Sequence, residues 1–251
     1  MKGILSYIGG KVRLAPKIVS MIPPHKTYAE VFAGGCQVLF RKSPSKVEVI
    51  NDLDGELINF YRICQNHHEE LLRYLRFMLL SRKWFDLLQD TPPETLTDIQ
   101  RAGRYFFLQK AAVGGRVTRQ NYAIHVVQPP NLSASRISDL ITKAHQRLAN
   151  VQIESLPYEQ VLTRFDRPTT FFYLDPPYLG VKLYRYNFEK ENFALLAERL
   201  RGLQGKFILS LNDRAEIRQL FGKFNIEPVS IAYSVQKTPG KRYGELIIKN
   251  F

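Results

Sequence analysis

The residues best equipped for chemistry are Asp175-Pro176-Pro177-Tyr178, which directly follow the apolar run Thr170–Leu174. Consecutive prolines cannot continue a central strand or sit inside a helix, because each lacks an N–H and fixes its own φ. They hold a stiff, extended loop at the end of a buried strand, with a carboxylate before it and an aromatic ring after it. The Pro176 carbonyl falls outside regular pairing. The loop thus offers two hydrogen-bond acceptors and one flat π-face, an arrangement that suits a planar group bearing an exocyclic amino group. As a bare string of four residues it fits a proline turn with a capping Asp and a packing Tyr equally well.

Three further segments bear on that choice. Phe32-Ala33-Gly34-Gly35-Cys36 follows Glu30 and a short apolar run, and glycines between a strand and a helix let the backbone approach a ligand closely. Asp52 stands at the end of the next run, where an acid can hold the two hydroxyls of a ribose. The glycines do not form Gly-x-Gly-x-x-Gly and no Walker lysine follows, so another nucleoside ligand is better supported than a dinucleotide or a nucleoside triphosphate. Tyr7-Ile8-Gly9-Gly10-Lys11 precedes the first strand and reads either as a loop with a solvated lysine or as a lid over a ligand. As a lid it would supply a ring for packing and a cation to meet a carboxylate.

The elements that must position these residues read as α/β at both ends of the chain. Strands are expected over 28–32, 47–51, 151–154, 170–174, 206–211, 224–232 and 245–249, with a helix over 55–65 and another over 193–203. Helical patterning continues over 71–88, breaks at Thr91-Pro92-Pro93 and resumes in a basic segment over 96–149. Strands alternating with helices imply a sheet with parallel pairs. Such sheets bind ligands beyond the carboxyl ends of their strands, where Gly34, Asp52 and Asp175 all fall.

The 251 residues carry 36 Lys+Arg against 23 Asp+Glu, a net charge of +13, which points to an anionic partner, nucleic acid before membrane. No acidic residue lies between Asp98 and Asp139, while the same window holds Arg101, Arg104, Lys110, Arg116, Arg119 and Arg136. Two cysteines, Cys36 and Cys64, cannot build a disulfide framework or a zinc cage, and their scarcity suits a reducing cytoplasm. Apolar runs are strand-sized, and the first residues do not read as a secretory signal, so secreted, membrane-spanning and metal-stapled classes are set aside.

Taken in order, these motifs resemble the Dam-type, D12-class family of DNA adenine N6-methyltransferases, over essentially the whole chain. Tyr7–Lys11 resembles the family's opening aromatic-x-Gly-Gly-Lys motif, and Glu30–Cys36 its Glu-x-Phe-x-Gly-x-Gly motif, with Cys36 at the second glycine position. Asp52, Leu57, Ile58 and Tyr61 are similar to the acid-ended strand and following helix, and Asp175–Tyr178 to the Asp-Pro-Pro-Tyr motif. Leu209–Asp213 and Glu245–Asn250 look like the family's late strands.

The resemblance implies a seven-stranded, mixed, mostly parallel sheet of the S-adenosylmethionine-dependent methyltransferase type, with an inserted, mainly helical DNA-recognition subdomain. Residues 1–60 and 150–251 would form the catalytic domain and 61–149 the basic insertion. S-adenosylmethionine would be the cofactor, with no metal, surrounded by Tyr7, Lys11, Phe32, Gly34, Asp52 and Asp175. Asp52 would take the ribose hydroxyls and Lys11 would lie near the methionine end. Asp175, Pro176, Pro177 and Tyr178 would be the catalytic set. The partner would be double-stranded DNA, with no membrane, in the bacterial cytoplasm at the nucleoid, or phage-encoded and acting there. The chain is expected to act as a monomer or weak dimer, with a separately encoded restriction nuclease as a candidate partner.

The chemistry follows from the nucleophile. The adenine amino nitrogen is a poor one, because its lone pair is delocalised into the ring. Accepting its two N–H bonds at Asp175 and Pro176 localises that pair toward a sulfonium methyl group, and in-line transfer then depends on positioning. The adenine must leave the duplex to reach such a loop, and stacking on Tyr178 would offset about 1–3 kcal/mol. Cytosine C5 methylation is disfavoured because it uses a cysteine commonly preceded by proline, whereas Cys36 follows Gly35 and Cys64 follows Ile63.

Arg101, Lys110, Arg116 and Arg119 are expected to neutralise phosphates, and Asn121 and Gln128 to read base edges. Where GATC-reading relatives carry Tyr-Asn-Gly this chain has Ala112-Val113-Gly114, and Ala123–Pro130 replaces a Phe-Asn-Val-Pro-like stretch, so their target sequence does not carry over. Two other readings remain at this point. One is an N-methyltransferase acting on RNA or on a protein amide. The other is a DNA-binding module that keeps a nucleoside pocket without catalysis, which the presence of Asp175, Pro176 and Tyr178 disfavours.

Overall fold

The computed structural model describes every residue except 2, 8, 10, 79, 125–132 and 233–241. Seven strands form one sheet: β1 Thr27–Glu30, β2 Val47–Asn51, β3 Val151–Glu154, β4 Thr170–Leu174, β5 Lys206–Asn212, β6 Asn225–Ala232 and β7 Arg242–Lys249. The order across the sheet is β3-β2-β1-β4-β5-β7-β6. β1 pairs in parallel with both β2 and β4, and β3 and β5 extend the parallel run. β7 is antiparallel to β5 and to β6. The mixed, mostly parallel sheet expected from the resemblance is thus the one observed, and each expected strand is present.

The strands are apolar on both faces because helices cover both. All five residues of β4 are buried. Phe171 and Tyr173 point into one core, and Phe172 and Leu174 into the other, as the period-two pleat requires. The first core is covered by α1 Ala15–Met21, α2 Gly55–Asn66, α3 His68–Leu75, α5 Asp98–Ala111 and α6 Ala134–Leu148. The second lies under α7 Tyr158–Phe165, α8 Lys190–Arg201 and α9 Ala215–Leu220. A smaller cluster joins α4, Arg82–Asp90, to the end of α5 through Phe85, Leu88, Phe107 and Leu108.

Local signals set the helix starts. The Asp54 side chain caps α2 by accepting from the Glu56 N–H, and Thr97 with Gln100 forms a reciprocal capping box on α5. The helix expected at 193–203 begins three residues earlier, where Glu189 and Asn192 cap α8. α2 runs through the expected boundary at residues 60 and 61, and α5 and α6 share its core with the sheet. Arg147 of α6 ties to β2 through Glu48, with the second guanidinium nitrogen 2.9 Å from Glu48 Oε1. No helix among the described residues is long and apolar enough to cross a membrane.

Candidate active site

The chain leaves β1 toward β2 on one side and returns to β4 on the other, so these three parallel strands end side by side. A crevice at such a reversal is where open α/β sheets bind ligands. A cleft opens there, lined by Tyr7, Gly9, Lys11, Phe32, Gly34, Asp52, Asp175 and Pro177 among others. All six residues expected around a cofactor therefore face one cavity, although they come from four separate stretches of chain.

The loop after β1 is bound to the end of β2. The Gly34 N–H donates to Asp52 Oδ2 at 3.0 Å, the Asp54 N–H donates to Asp52 Oδ1 at 3.0 Å, and the Ala33 N–H donates to the Asn51 carbonyl at 2.7 Å. Burial raises the Asp52 carboxyl to about 6 in spite of these donors. Gly34 has φ +44°, and a Cβ there would stand 3.2 Å from the Tyr7 ring, so the loop needs glycine at this position. Cys36, at the place where the family motif has its second glycine, also adopts a left-handed φ of 47°. The Tyr61 hydroxyl fixes the loop from below by donating to the Gly34 carbonyl at 2.7 Å.

Asp175 is held at the other edge. Ser210 of β5 donates to its Oδ1 at 2.9 Å, and Lys11 Nζ lies 2.8 Å from the same oxygen. Lys11 is buried and also donates to the Gly9 carbonyl at 3.1 Å. Its ammonium stands 4.5 Å from the centre of the Tyr178 ring. Burial pushes the Lys11 pKa down, but Asp175 and Glu245 pull it up and win, so the ammonium stays charged. Deep in the cleft, burial lifts Glu30 to about 8 even though Tyr28 Oη and the Leu39 N–H donate to it.

An aromatic wall forms one end of the cleft. The Phe32 ring centre lies 5.7 Å from that of Tyr158 and 5.6 Å from that of Phe188, and all three line the cavity. Tyr184 stacks on Tyr7 at 6.2 Å. Arg185 reaches back across the cleft to Asp54, 3.1 Å from Oδ1, while Asp54 Oδ2 is buried without a hydrogen-bond partner among the described residues.

Sequence reasoning missed Asn51, Asp54, Tyr184 and Arg185 as cleft residues. Asn51 joins three segments, donating to the Val31 and Leu156 carbonyls and accepting from the Leu156 N–H. The only prior signal for Asp54 was its position before a helix start. The segment after Tyr178 has no periodicity that would have marked Tyr184 or Arg185.

The basic residues divide into two groups. Arg116, Arg119 and Asn121 are exposed on a loop closed at its base by the bridge between Ala112 and Tyr122. The Val113 N–H donates to the Asn121 carbonyl at 2.9 Å within that loop. Gly115 presses the loop against the N-terminal motif, since a Cβ there would meet the Ser6 carbonyl oxygen at 2.3 Å. Thr118 donates to the Leu183 carbonyl at 3.3 Å, near the segment that closes the cleft. Arg101 is not on this loop; its guanidinium is held by Glu56 and by Asp98. Lys110 is half-buried with its ammonium 5.7 Å from the centre of the Phe106 ring, and burial lowers its pKa to about 8. Arg104 is buried, donating to the Leu88 and Gln89 carbonyls. Gln128 lies outside the described residues, as do positions 8 and 10 of the opening motif.

The chain is similar over its whole length to the type II methyltransferase M1.LlaDCHI of Lactococcus lactis subsp. cremoris, 25% identical and covering 96% of that protein. It is also similar, over 49% of its length, to the DNA N-6-adenine-methyltransferase of Escherichia phage P1, 26% identical across 16% of that longer protein. A family model matches residues 7–235, from the opening aromatic motif past β6, and on that match the chain belongs to the D12 class of N6 adenine-specific DNA methyltransferases.

Proposed function

We propose that this DNA adenine methyltransferase moves the methyl group of S-adenosylmethionine onto N6 of an adenine turned out of duplex DNA, in the cleft beyond β1, β2 and β4. The observation that carries the reading is that Asp175 and Asp52 line one cavity, Asp52 with both oxygens and Asp175 with Oδ1 already held by donors. The residues fit a sulfonium nucleoside. Asp52 faces the cleft as an acceptor for ribose hydroxyls, Asp54 keeps a buried oxygen without a partner among the described residues, and Phe32 with Tyr158 and Phe188 offers apolar ring surface to a purine. When bound, the cofactor supplies the electrophilic methyl group and its leaving group.

The chain's own residues then do the positioning. Asp175 and the Pro176 carbonyl accept the two amino hydrogens, Tyr178 stacks on the adenine, and Pro177 keeps the loop extended between them. Both acceptors concentrate the amino lone pair along the line of attack. The proton lost from N6 leaves after the new bond forms, with Asp175 as the adjacent base. Arg116 and Arg119 are exposed cations on the loop from Ala112 to Tyr122 and suit phosphate neutralisation, with Asn121 near the end of that loop to read a base edge. Arg101 and Lys110, with their partners at Glu56, Asp98 and Phe106, suit support of the recognition region 61–149 behind them.

The protein is read as a cytoplasmic monomer or weak dimer. The type II designation of the Lactococcus relative supports reading it as the modification partner of a separately encoded restriction nuclease. Transfer of label from methyl-tritiated S-adenosylmethionine is the test, run in parallel on duplex DNA, RNA and bulk protein. Label is expected in duplex DNA and in N6-methyladenine after digestion. Label confined to RNA or protein would overturn the reading.

A further inference from the structure

Glu245 is a buried acidic side chain beside the cleft that has no part in the transfer described so far. It stands on β7 opposite Asn212 of β5 and is 1% exposed. Neither of its carboxylate oxygens has a hydrogen-bond partner among the described residues. A carboxylate buried in that way costs free energy unless a charge or donor comes to it. The Tyr178 hydroxyl faces it closely enough to favour its ionised form, yet closes no hydrogen bond of ordinary geometry and is itself buried without a partner among the described residues. Burial drives the Glu245 carboxyl up, Lys11 draws it down, and Asp175 adds to the rise. Lys11, Asp175, Tyr178 and Glu245 are therefore one electrostatic cluster in which only the first two are joined.

The position of Lys11 makes the loose carboxylate meaningful. Its ammonium lies 2.8 Å from Asp175 Oδ1 and 4.5 Å from the centre of the Tyr178 ring. On the reading that adenine stacks on Tyr178 and bonds Asp175 through N6, that is where the amino group must sit. An ammonium 4.5 Å from the centre of the Tyr178 ring fills space that an adenine stacked on that face would take, so the two compete for it. The displaced ammonium needs another anion, because a buried lysine without one is strongly disfavoured. Glu245 is the other carboxylate that pulls on Lys11.

We propose that Glu245 is a positioning residue for methyl transfer, whose carboxylate takes over the Lys11 ammonium when the adenine amino group takes Asp175. The inference rests on the adenine site proposed above. It needs no proton or bond to change hands, because Lys11 stays protonated throughout. Its four-carbon stem swings from one carboxylate to the other beside the Tyr178 ring, and the Tyr178 hydroxyl gives the arriving pair a further polar contact.

Glu245→Gln removes the charge and keeps the shape. Single-turnover transfer to duplex DNA is expected to fall about tenfold or more, with dissociation constants for DNA and S-adenosylmethionine within about twofold of wild type. In a Lys11→Met background there is no ammonium to receive, so adding Glu245→Gln should cost less than about twofold. Wild-type transfer by Glu245→Gln, or the same loss in both backgrounds, overturns the proposal. Should the amide unsettle β7, Glu245→Met carries the same expectations with an apolar side chain.

A readout independent of turnover is NMR titration of the Lys11 Nζ in an Asp175→Asn enzyme. Adding Glu245→Gln should lower the Lys11 pKa by about one unit or more, and an unmoved pKa overturns the proposal. If Asp175→Asn itself transfers at the wild-type rate, it is the adenine site that fails. If Asp175→Asn is inactive while Glu245→Gln is normal, only the role of Glu245 falls.

Discussion

The cleft at the strand ends and the loop between Ala112 and Tyr122 are built to opposite standards. In the cleft, two carboxylates are held by hydrogen bonds to fixed groups: Asp52 by two backbone N–H groups, Asp175 by the Ser210 hydroxyl. In the loop, the base and the inward contacts at Gly115 and Thr118 are fixed, while Arg116, Arg119 and Asn121 stand in solvent. Each region even contains a non-glycine residue in left-handed backbone, Cys36 at φ 47° and Arg119 at φ 49°, the first buried and the second exposed. The contrast follows from the task. On the proposed assignment, methyl transfer in the cleft depends on geometry held to fractions of an ångström, whereas phosphate capture by the loop needs only charge within reach of a surface.

That contrast is open to four measurements. The largest effect is expected for Asp175→Ala, which should lower methyl transfer by about a hundredfold to a thousandfold with DNA affinity within about twofold. Equal losses in transfer and in DNA binding would mean that the two regions are not separable. Asp52→Asn should weaken S-adenosylmethionine binding about tenfold. With its carboxyl raised to about 6 by burial, and hydroxyl donors favouring the charged form, wild-type affinity should rise with pH through about 6 and level off above it. Calorimetry from about pH 5 to 8 checks this, and the asparagine variant should show a flat profile over the same range.

Arg116→Ala with Arg119→Ala should raise the DNA dissociation constant several-fold and flatten its dependence on log salt by about 0.9 for each phosphate no longer neutralised. An unchanged salt slope would remove these two residues from the phosphate surface. The smallest effect is expected for Cys36→Gly. Relief of the left-handed strain, about 1–2 kcal/mol, is largely offset by the greater chain entropy of glycine and the missing thiol packing. Denaturant unfolding should show a stability change within about 1 kcal/mol of wild type.

Much of the cleft was readable before the fold was known because its residues are local signals. The two prolines mark the end of β4, the glycines mark the turn after β1, and aromatic runs such as Thr170–Leu174 announce fully buried strands. Short amphipathic helices were harder. Tyr158, Val161, Leu162 and Phe165 have helical spacing and pack under the sheet, yet α7 covers only eight residues between Pro157 and Asp166 and passed unmarked. α1 and α9 are shorter still.

Charge patterning placed a basic stretch correctly in sequence but not in space. Arg101 finds Glu56, 45 residues earlier, and Arg104 finds the carbonyls that end α4. Pairings such as Arg185 with Asp54, 131 residues apart, exist only once the strands have brought their loops together. Nothing in the local sequence distinguishes Glu245 from any other acid within a late strand.

The seating of Gly115 on Ser6 fixes one side of the exposed loop to the N-terminal motif. With the base of the loop closed at Ala112 and Tyr122 and its inner side pinned at Gly115 and Thr118, the side chains at 116, 119 and 121 are the exposed part of a fixed frame. On the proposed reading of this loop as a DNA-contacting surface, exchanging only residues 116, 119 and 121 should change which duplexes are methylated while transfer chemistry and thermal stability stay where they were.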